Sequence, residues 1–315
     1  MSKKRGFTPL EIKNSNGVSS IRNQRSYGVS KRFLTGPVRK SSSNGAGFTL
    51  VELLFVIAII ALLMSILMPA LGRVRKQAKD VLCQVQLKQW GIIFSMYTDD
   101  NNGYFNSGRA GAPTIRPDWN QYWHRGDWIM ATRPYFEEEA RKVEVRLCPM
   151  ATKQKPGQGI AGSPFTSWRW GGDYGWDYGS YGLNGWVVNP PTGVEYIWGN
   201  PTKNNWRSAR VKGAGIIPVF ADCGWVGGSP TPFDEPQVVY SPSGGGTSEM
   251  KYFCINRHNG MINILFMDWS VRKIGLKQLW TLKWHRGYNT CGPWTKCGNV
   301  TPGEWPDWMR NFRDY

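Results

Sequence analysis

Histidine is scarce in this chain: His124, His258 and His285 are all that 315 residues hold, and none stands at a metal-ligand or nucleophile–base spacing. No glycine-rich loop leads from a strand into a helix, so a phosphate-cradling site is not written here. Residues 1–47 are nearly free of acid, with Glu11 alone against ten Lys and Arg, a net of +9. The formal charge of the whole chain is +17, so residues 48–315 carry only +8, which is a weak argument for nucleic-acid binding. The rarest absence is local. From Phe48 to Leu71, 24 residues contain one charged side chain, Glu52.

At about 1.5 Å per residue that run spans roughly 36 Å as a helix, enough for a hydrocarbon core of about 30 Å. Lys31, Arg32, Arg39 and Lys40 precede it while Arg73, Arg75, Lys76 and Lys79 follow it, so charge counting does not orient it. The block Gly47-Phe48-Thr49-Leu50-Val51-Glu52 followed by this run resembles the N-terminus of type IV prepilins and type II secretion pseudopilins. That resemblance implies cleavage by prepilin peptidase between Gly47 and Phe48, N-methylation of Phe48, and assembly with other pilin or pseudopilin subunits through the helix. Glu52 then falls at the fifth mature position and Pro69 at the twenty-second, where the family has them. A carboxylate in a membrane helix is costly and marks function, so Glu52 is read as the assembly residue. The resemblance also implies an inner-membrane, single-pass protein with its C-terminal domain in the periplasm or in a filament. Gly6-Phe7-Thr8-Pro9-Leu10-Glu11 echoes the motif, but Pro9 and the polar residues after Glu11 deny it a helix.

The implied organisation is a leader at 1–47, a membrane and assembly half-helix at 48–71, an amphipathic half at 72–98 and a globular domain at 99–315. Residues 1–46 lack periodicity and are rich in Ser, Asn, Gly, Lys and Arg. In the second half-helix Val74, Ala78, Val81, Leu82, Val85, Ile92, Ile93 and Met96 recur at three- and four-residue steps, opposite Arg75, Lys79, Gln86 and Lys88. The helix is expected to end near Thr98, about 75 Å from its start. Asp99-Asp100-Asn101-Asn102-Gly103 reads as its stop; a calcium site is the competing reading, though the stretch lacks EF-hand spacing.

Seventeen Trp, 37 Gly and 20 Pro describe a loop-rich, aromatic-packed domain. Trp119, Trp123, Trp128, Trp168, Trp170, Trp176 and Trp186 crowd its first part; packing is the first reading and stacking on surface glycans the alternative. A short helix at Arg133–Arg141 and a strand at Val143–Cys148 are expected. Further strands are expected at Ile216–Asp222, Met261–Met267 and Val271–Ile274, and a short helix at Leu276–Arg286. Glu304-Trp305-Pro306-Asp307-Trp308-Met309 reads as an aromatic strap. His258 and Asp268, with nine residues between them, resemble the C-terminal His-x9-Asp-Gly pattern of prepilin-type proteins, with Trp269 in place of its glycine. As a catalytic pair they lack a nucleophile motif, so a strand-entrance residue and a turn residue are the plainer roles.

Six cysteines permit disulfides. Cys291 and Cys297 enclose a turn-prone Gly-Pro-Trp-Thr-Lys loop that brings their Cα atoms within about 7 Å, whereas Cys83 on the helix is expected to be free or buried. Cys291, Cys297, His285 and His258 offer zinc ligands without a zinc spacing. The fold class that follows is α+β and pilin-like, a long N-terminal helix on a small antiparallel sheet with long aromatic-rich loops. The function that follows is a structural subunit, not an enzyme and without a resident cofactor.

Overall fold

A computed structural model describes residues 48–108, 127–136, 145–154, 159–172, 175–238 and 248–315. The leader, Gly47, Trp119, Trp123 and His124 lie outside the described residues. The chain divides into two units at Ile57 and Ala58. Helix α1, Leu50–Asp100, is the principal element, with Pro69 inside it. It closes on Asn102, whose φ of 57° is left-handed, and the Gly103 N–H returns to the Thr98 carbonyl at 2.6 Å. That is a Schellman closure, and it is the role that the Asn-Asn-Gly stretch performs. Asp100 Oδ2 accepts from the Tyr135 hydroxyl at 2.8 Å.

Among the described residues, helix α2 (Asp127–Thr132) and nine strands follow α1: β1 Trp168–Gly172, β2 Gly175–Gly179, β3 Tyr181–Asn184, β4 Tyr196–Ile197, β5 Asn200–Pro201, β6 Pro218–Asp222, β7 Gly227–Gly228, β8 Met261–Phe266 and β9 Val271–Gly275. Strands β1 and β2 form one hairpin and β4 and β5 another, while the central sheet has the order β7-β3-β6-β8-β9. Its pairs are antiparallel except β3 with β7, which run parallel. The architecture is α+β, as the sequence implies.

The central sheet is covered on both faces. Leu265 and Met267 join the helix-side core with Leu87, Trp90, Phe94 and Phe220. Ile262, Ile264 and Phe266 point the other way, into a core with Trp280, Trp284 and Trp305. A strand alternating between two apolar layers reads as a continuous hydrophobic run, and Met-Ile-Asn-Ile-Leu-Phe does so but for Asn263. Trp90 is the hub of the first core. Its ring meets Trp128 and Phe136 edge-on at 5.3 Å each, and Phe220 at 5.0 Å. Truncating a buried aromatic of this kind costs about 3–5 kcal/mol. Gly91 lets the helix approach β8, since a Cβ there would lie 2.9 Å from Leu265 Cδ1.

The structure corrects the helix face read from periodicity. Val81, Leu82, Val85, Ile92 and Met96 are exposed, while Cys83, Leu87, Trp90, Gly91, Ile93, Phe94 and Thr98 are buried. Two apolar stripes run along this half-helix, and the aromatic one wins the core because Trp and Phe bury the larger area. The helix expected at Arg133–Arg141 is instead α2 plus a 3-10 turn at Arg133–Tyr135; residues 137–144 lie outside the described residues. Of the strand expected at Val143–Cys148, the described part Val145–Cys148 is a turn. It pairs with no strand: the Arg146 carbonyl accepts from Ser180 N, and the Cys148 carbonyl from Ala151 N. Leu276–Thr281 is a 3-10 helix rather than part of an α-helix to Arg286.

Among tryptophans whose side chains are described, none is exposed. Many fasten loops by their N–H. Trp90 donates to the Val145 carbonyl, Trp128 to Val226, Trp168 to Tyr181, Trp186 to Pro230, Trp280 to Asp234 and Trp308 to Gln237. Each indole buries apolar area while its N–H finds a backbone carbonyl of another segment. A row of exposed indoles suited to sugar rings is not found among the described residues.

Cys291 and Cys297 are joined, with Cα atoms 5.1 Å apart. For so short a loop the bridge is expected to contribute about 2–3 kcal/mol. Replacing both by serine should lower the melting midpoint of the oxidised chain by roughly 4–12 °C, and reductant should lower wild type similarly but leave the double variant unmoved. Alkylation of both thiols in unreduced protein would refute the bridge.

Candidate functional site

Two places gather chemistry, one in each unit. The first is the start of α1, where Phe48, Thr49 and Leu50 are exposed. Thr49 is the N-cap. Its N–H and hydroxyl both donate to Glu52 Oε2 at 2.8 Å, and the Glu52 N–H returns to Thr49 Oγ1 at 3.2 Å. This is a capping box, legible as Thr-x-x-Glu before an apolar run and missed in the sequence reading, which assigned Glu52 to assembly alone. The most apolar stretch of α1 is unburied, and among the described residues this is the single helix long and apolar enough to cross a membrane.

The second is a buried polar cluster between α1 and the central sheet. Cys83 comes from the helix, Cys148 from the turn before Pro149, Asp222 from the end of β6, and His258 from the turn entering β8. All four are buried, and one ligand atom from each lies within 4.8 Å of the others. Cys83 Sγ stands 3.7 and 3.8 Å from the two Asp222 oxygens. His258 Nε2 stands 3.5 Å from Cys148 Sγ and 3.2 Å from Asp222 Oδ2.

A ring of partners holds these groups. Asp80 Oδ1 lies 3.1 Å from His258 Nδ1 and accepts from Asn263 Nδ2 at 2.9 Å, and Lys273 pairs with Asp80 as well. Arg257 Nη1 donates to Asp222 Oδ1 at 2.8 Å, and the Asn263 N–H to Oδ2 at 2.8 Å. The Tyr181 hydroxyl lies 3.2 Å from Cys83 Sγ and 2.8 Å from Gln86 Oε1. The turn that aims His258 is tight: Asn259 and Gly260 both take positive φ, and Asn256 Oδ1 accepts from the Gly260 N–H at 2.7 Å.

Burial opposes charge on all of these groups, but their neighbours override it for three. Asp222 is held at about 2 by His258 and Arg257. His258 is raised to about 10 by Asp222. The Cys148 thiol, pushed up by burial, is brought down to about 6 by its bonds to Cys83 and His258, with Arg257 adding to the effect. Burial keeps the Cys83 thiol well above its ordinary value.

His258 and Asp268 do not meet. They stand at opposite ends of β8, and Asp268 Oδ1 accepts from the Ser270 N–H at 3.0 Å and from its hydroxyl. Trp269 occupies the left-handed position of the hairpin, φ 61°, where glycine is ordinarily found. Its carbonyl accepts from Lys88 Nζ at 2.8 Å, and its ring packs on Phe105 at 6.4 Å. The set Cys291, Cys297, His285 and His258 is dissolved as zinc ligands. The two cysteines bond each other, and His285 stacks on Trp186 at 4.5 Å, where burial and Lys283 lower its pKa to about 4. Sequence reading missed Asp80, Cys148, Asp222 and Arg257 as a group with Cys83 and His258. The one local signal was an Arg-His pair just before a buried strand.

A long apolar N-terminal helix followed by a small sheet under aromatic loops is an α+β, pilin-like architecture. Residues 42–68 match the family model of the prokaryotic N-terminal methylation motif. Over 67 residues the chain is 45% identical to the Type IV wide pilus major component PilA4 of Thermus thermophilus, covering 21% of this chain and 51% of that protein. The chain thus spans about half the length of the curated relative it matches. No solved structure matches. At its N-terminus this is a type IV prepilin-like protein.

Proposed function

We propose that the chain is a structural subunit of a type IV pilus or type II secretion pseudopilus. In this reading prepilin peptidase cleaves it between Gly47 and Phe48, Phe48 is methylated, and α1 packs among the helices of neighbouring subunits. The match of residues 42–68 to the N-terminal methylation motif carries the reading. The exposed apolar first half of α1 supports it, because such a surface needs lipid or other helices around it. So does the stripe Val81, Leu82, Val85, Ile92 and Met96, which the chain's own domain leaves uncovered. Before assembly the protein sits in the inner membrane with residues 99–315 on the periplasmic side. Its work is mechanical and architectural, with no catalytic step.

Processing is the test. Intact mass and N-terminal sequencing from native membranes should give a chain that begins at methylated Phe48, and Gly47→Arg should retain the leader. A mature chain that keeps residues 1–47 in cells with active prepilin peptidase would overturn the proposal.

A further inference from the structure

We propose that Cys83, Cys148, Asp222 and His258 form a structural site for a borderline-soft divalent ion of the zinc class. The inference stands on the geometry of the buried cluster and does not depend on filament assembly. Zinc sits about 2.3 Å from thiolate sulfur and about 2.0–2.1 Å from imidazole nitrogen or carboxylate oxygen, so ligand atoms on a tetrahedral ion stand roughly 3.3–3.8 Å apart. With Asp222 Oδ2 as the carboxylate ligand the cluster has three of these edges already: 3.8 Å from Cys83 Sγ to Oδ2, 3.5 Å from Cys148 Sγ to His258 Nε2, and 3.2 Å from Nε2 to Oδ2. Two sulfurs, one nitrogen and one oxygen are a donor set that zinc accepts and that calcium or magnesium, which take oxygen, does not.

The surroundings are those of a ligand shell. Asp80 takes the Nδ1 side of His258, which turns Nε2 toward the cluster, the carboxylate–histidine arrangement that orients metal-bound imidazoles. Arg257 and the Asn263 N–H fix the Asp222 carboxylate, and Tyr181 reaches Cys83. As the ion enters, the protons on the thiols and on Nε2 leave to solvent. Four anionic groups, the two thiolates with Asp80 and Asp222, then face Arg257, Lys273 and a dication, and the charges cancel. No ligand position is left open to solvent, since all four residues are buried. The site is therefore closed and structural, and it ties α1 to three separate segments of the domain.

The experiment uses the full chain, purified in detergent from membranes under reducing conditions. Elemental analysis should find one zinc per chain. After unfolding with chelator and refolding with cobalt(II), the protein should show sulfur-to-cobalt charge transfer in the near ultraviolet and the intense visible bands of tetrahedral cobalt. Cys148→Ser should lose both signals, while Cys254→Ser, a buried cysteine in the other core, should keep them. Should Cys148→Ser fail to fold, the wild-type spectrum and peptide map still decide. Wild type without bound metal, cobalt spectra lacking the sulfur band, metal retained by Cys148→Ser, or a Cys83–Cys148 disulfide in unreduced protein would each overturn the site.

Discussion

Glu52→Gln is expected to insert in the membrane and to be cleaved at Gly47 like wild type, yet to enter filaments poorly when both are made together. A carboxylate in an apolar helix costs on the order of 2.5–3.5 kcal/mol at mid-bilayer on insertion scales, and such groups are kept for a purpose. Cleavage creates a positive amine on Phe48, and in a bundle of low dielectric the amine of one subunit attracts the Glu52 of the next. Leaving either charge alone there is expensive. The capping box gives the experiment its control. Glutamine serves at the third helical position of such a box, so Glu52→Gln keeps the helix start and removes only the charge. Thr49→Ala does the reverse, losing the cap at about 1 kcal/mol and keeping the carboxylate. The ratio of variant to wild-type chains in sheared filaments is the measurement. Full incorporation of Glu52→Gln, with reduced incorporation of Thr49→Ala, would make Glu52 a cap residue and end the pairing model.

Arg257→Met should cost about 3–5 kcal/mol of stability, the range for removing one partner of a buried ion pair. Both side chains of the Arg257–Asp222 pair are 0% exposed. Arg257 also donates to the carbonyls of Pro164 and Ser180, and its Nη2 stands 3.4 Å from those of Ser163 and Cys223. Methionine fills the aliphatic volume but removes the donors that Arg257 gives to Asp222 Oδ1 and to those carbonyls, and a buried acceptor that loses its partner carries a desolvation cost. In melts of the purified chain this corresponds to a fall of roughly 6–20 °C. Arg257→Lys, which keeps the charge and loses the fork, should fall less far. A loss within about 0.5 kcal/mol, as for a surface substitution, would mean that Asp222 is compensated by His258 alone.

What the sequence made legible was local. A run of 24 residues with one charge declares its helix, and Asn102-Gly103 declares where that helix stops. Strands β6, β8 and β9 could be read because hydrophobic pattern and turn chemistry agree over a few residues. The face of α1 could not, since Val81–Met96 and Cys83–Phe94 are both apolar at helical spacing and only the partner surface chooses between them. The described loops between Gly103 and Gly215 were legible as aromatic packing but not as fastenings, because which carbonyl an indole finds is set by the tertiary fold. The polar cluster was illegible for a related reason. Its members at 80, 83, 148, 222, 257 and 258 come from the helix, a turn, a strand end and a strand entrance, and no spacing rule spans such gaps.

The way the domain grips α1 has a mechanical meaning. Cys83, Leu87, Trp90, Phe94 and Thr98 hold the helix along one side over successive turns. A pull along the helix axis loads all of these contacts at once, in shear, and none can be peeled ahead of the next. A pull across the axis would open them one at a time. A subunit tugged lengthwise by its spine is therefore held by the whole row together, while the same row would part under a far smaller sideways load.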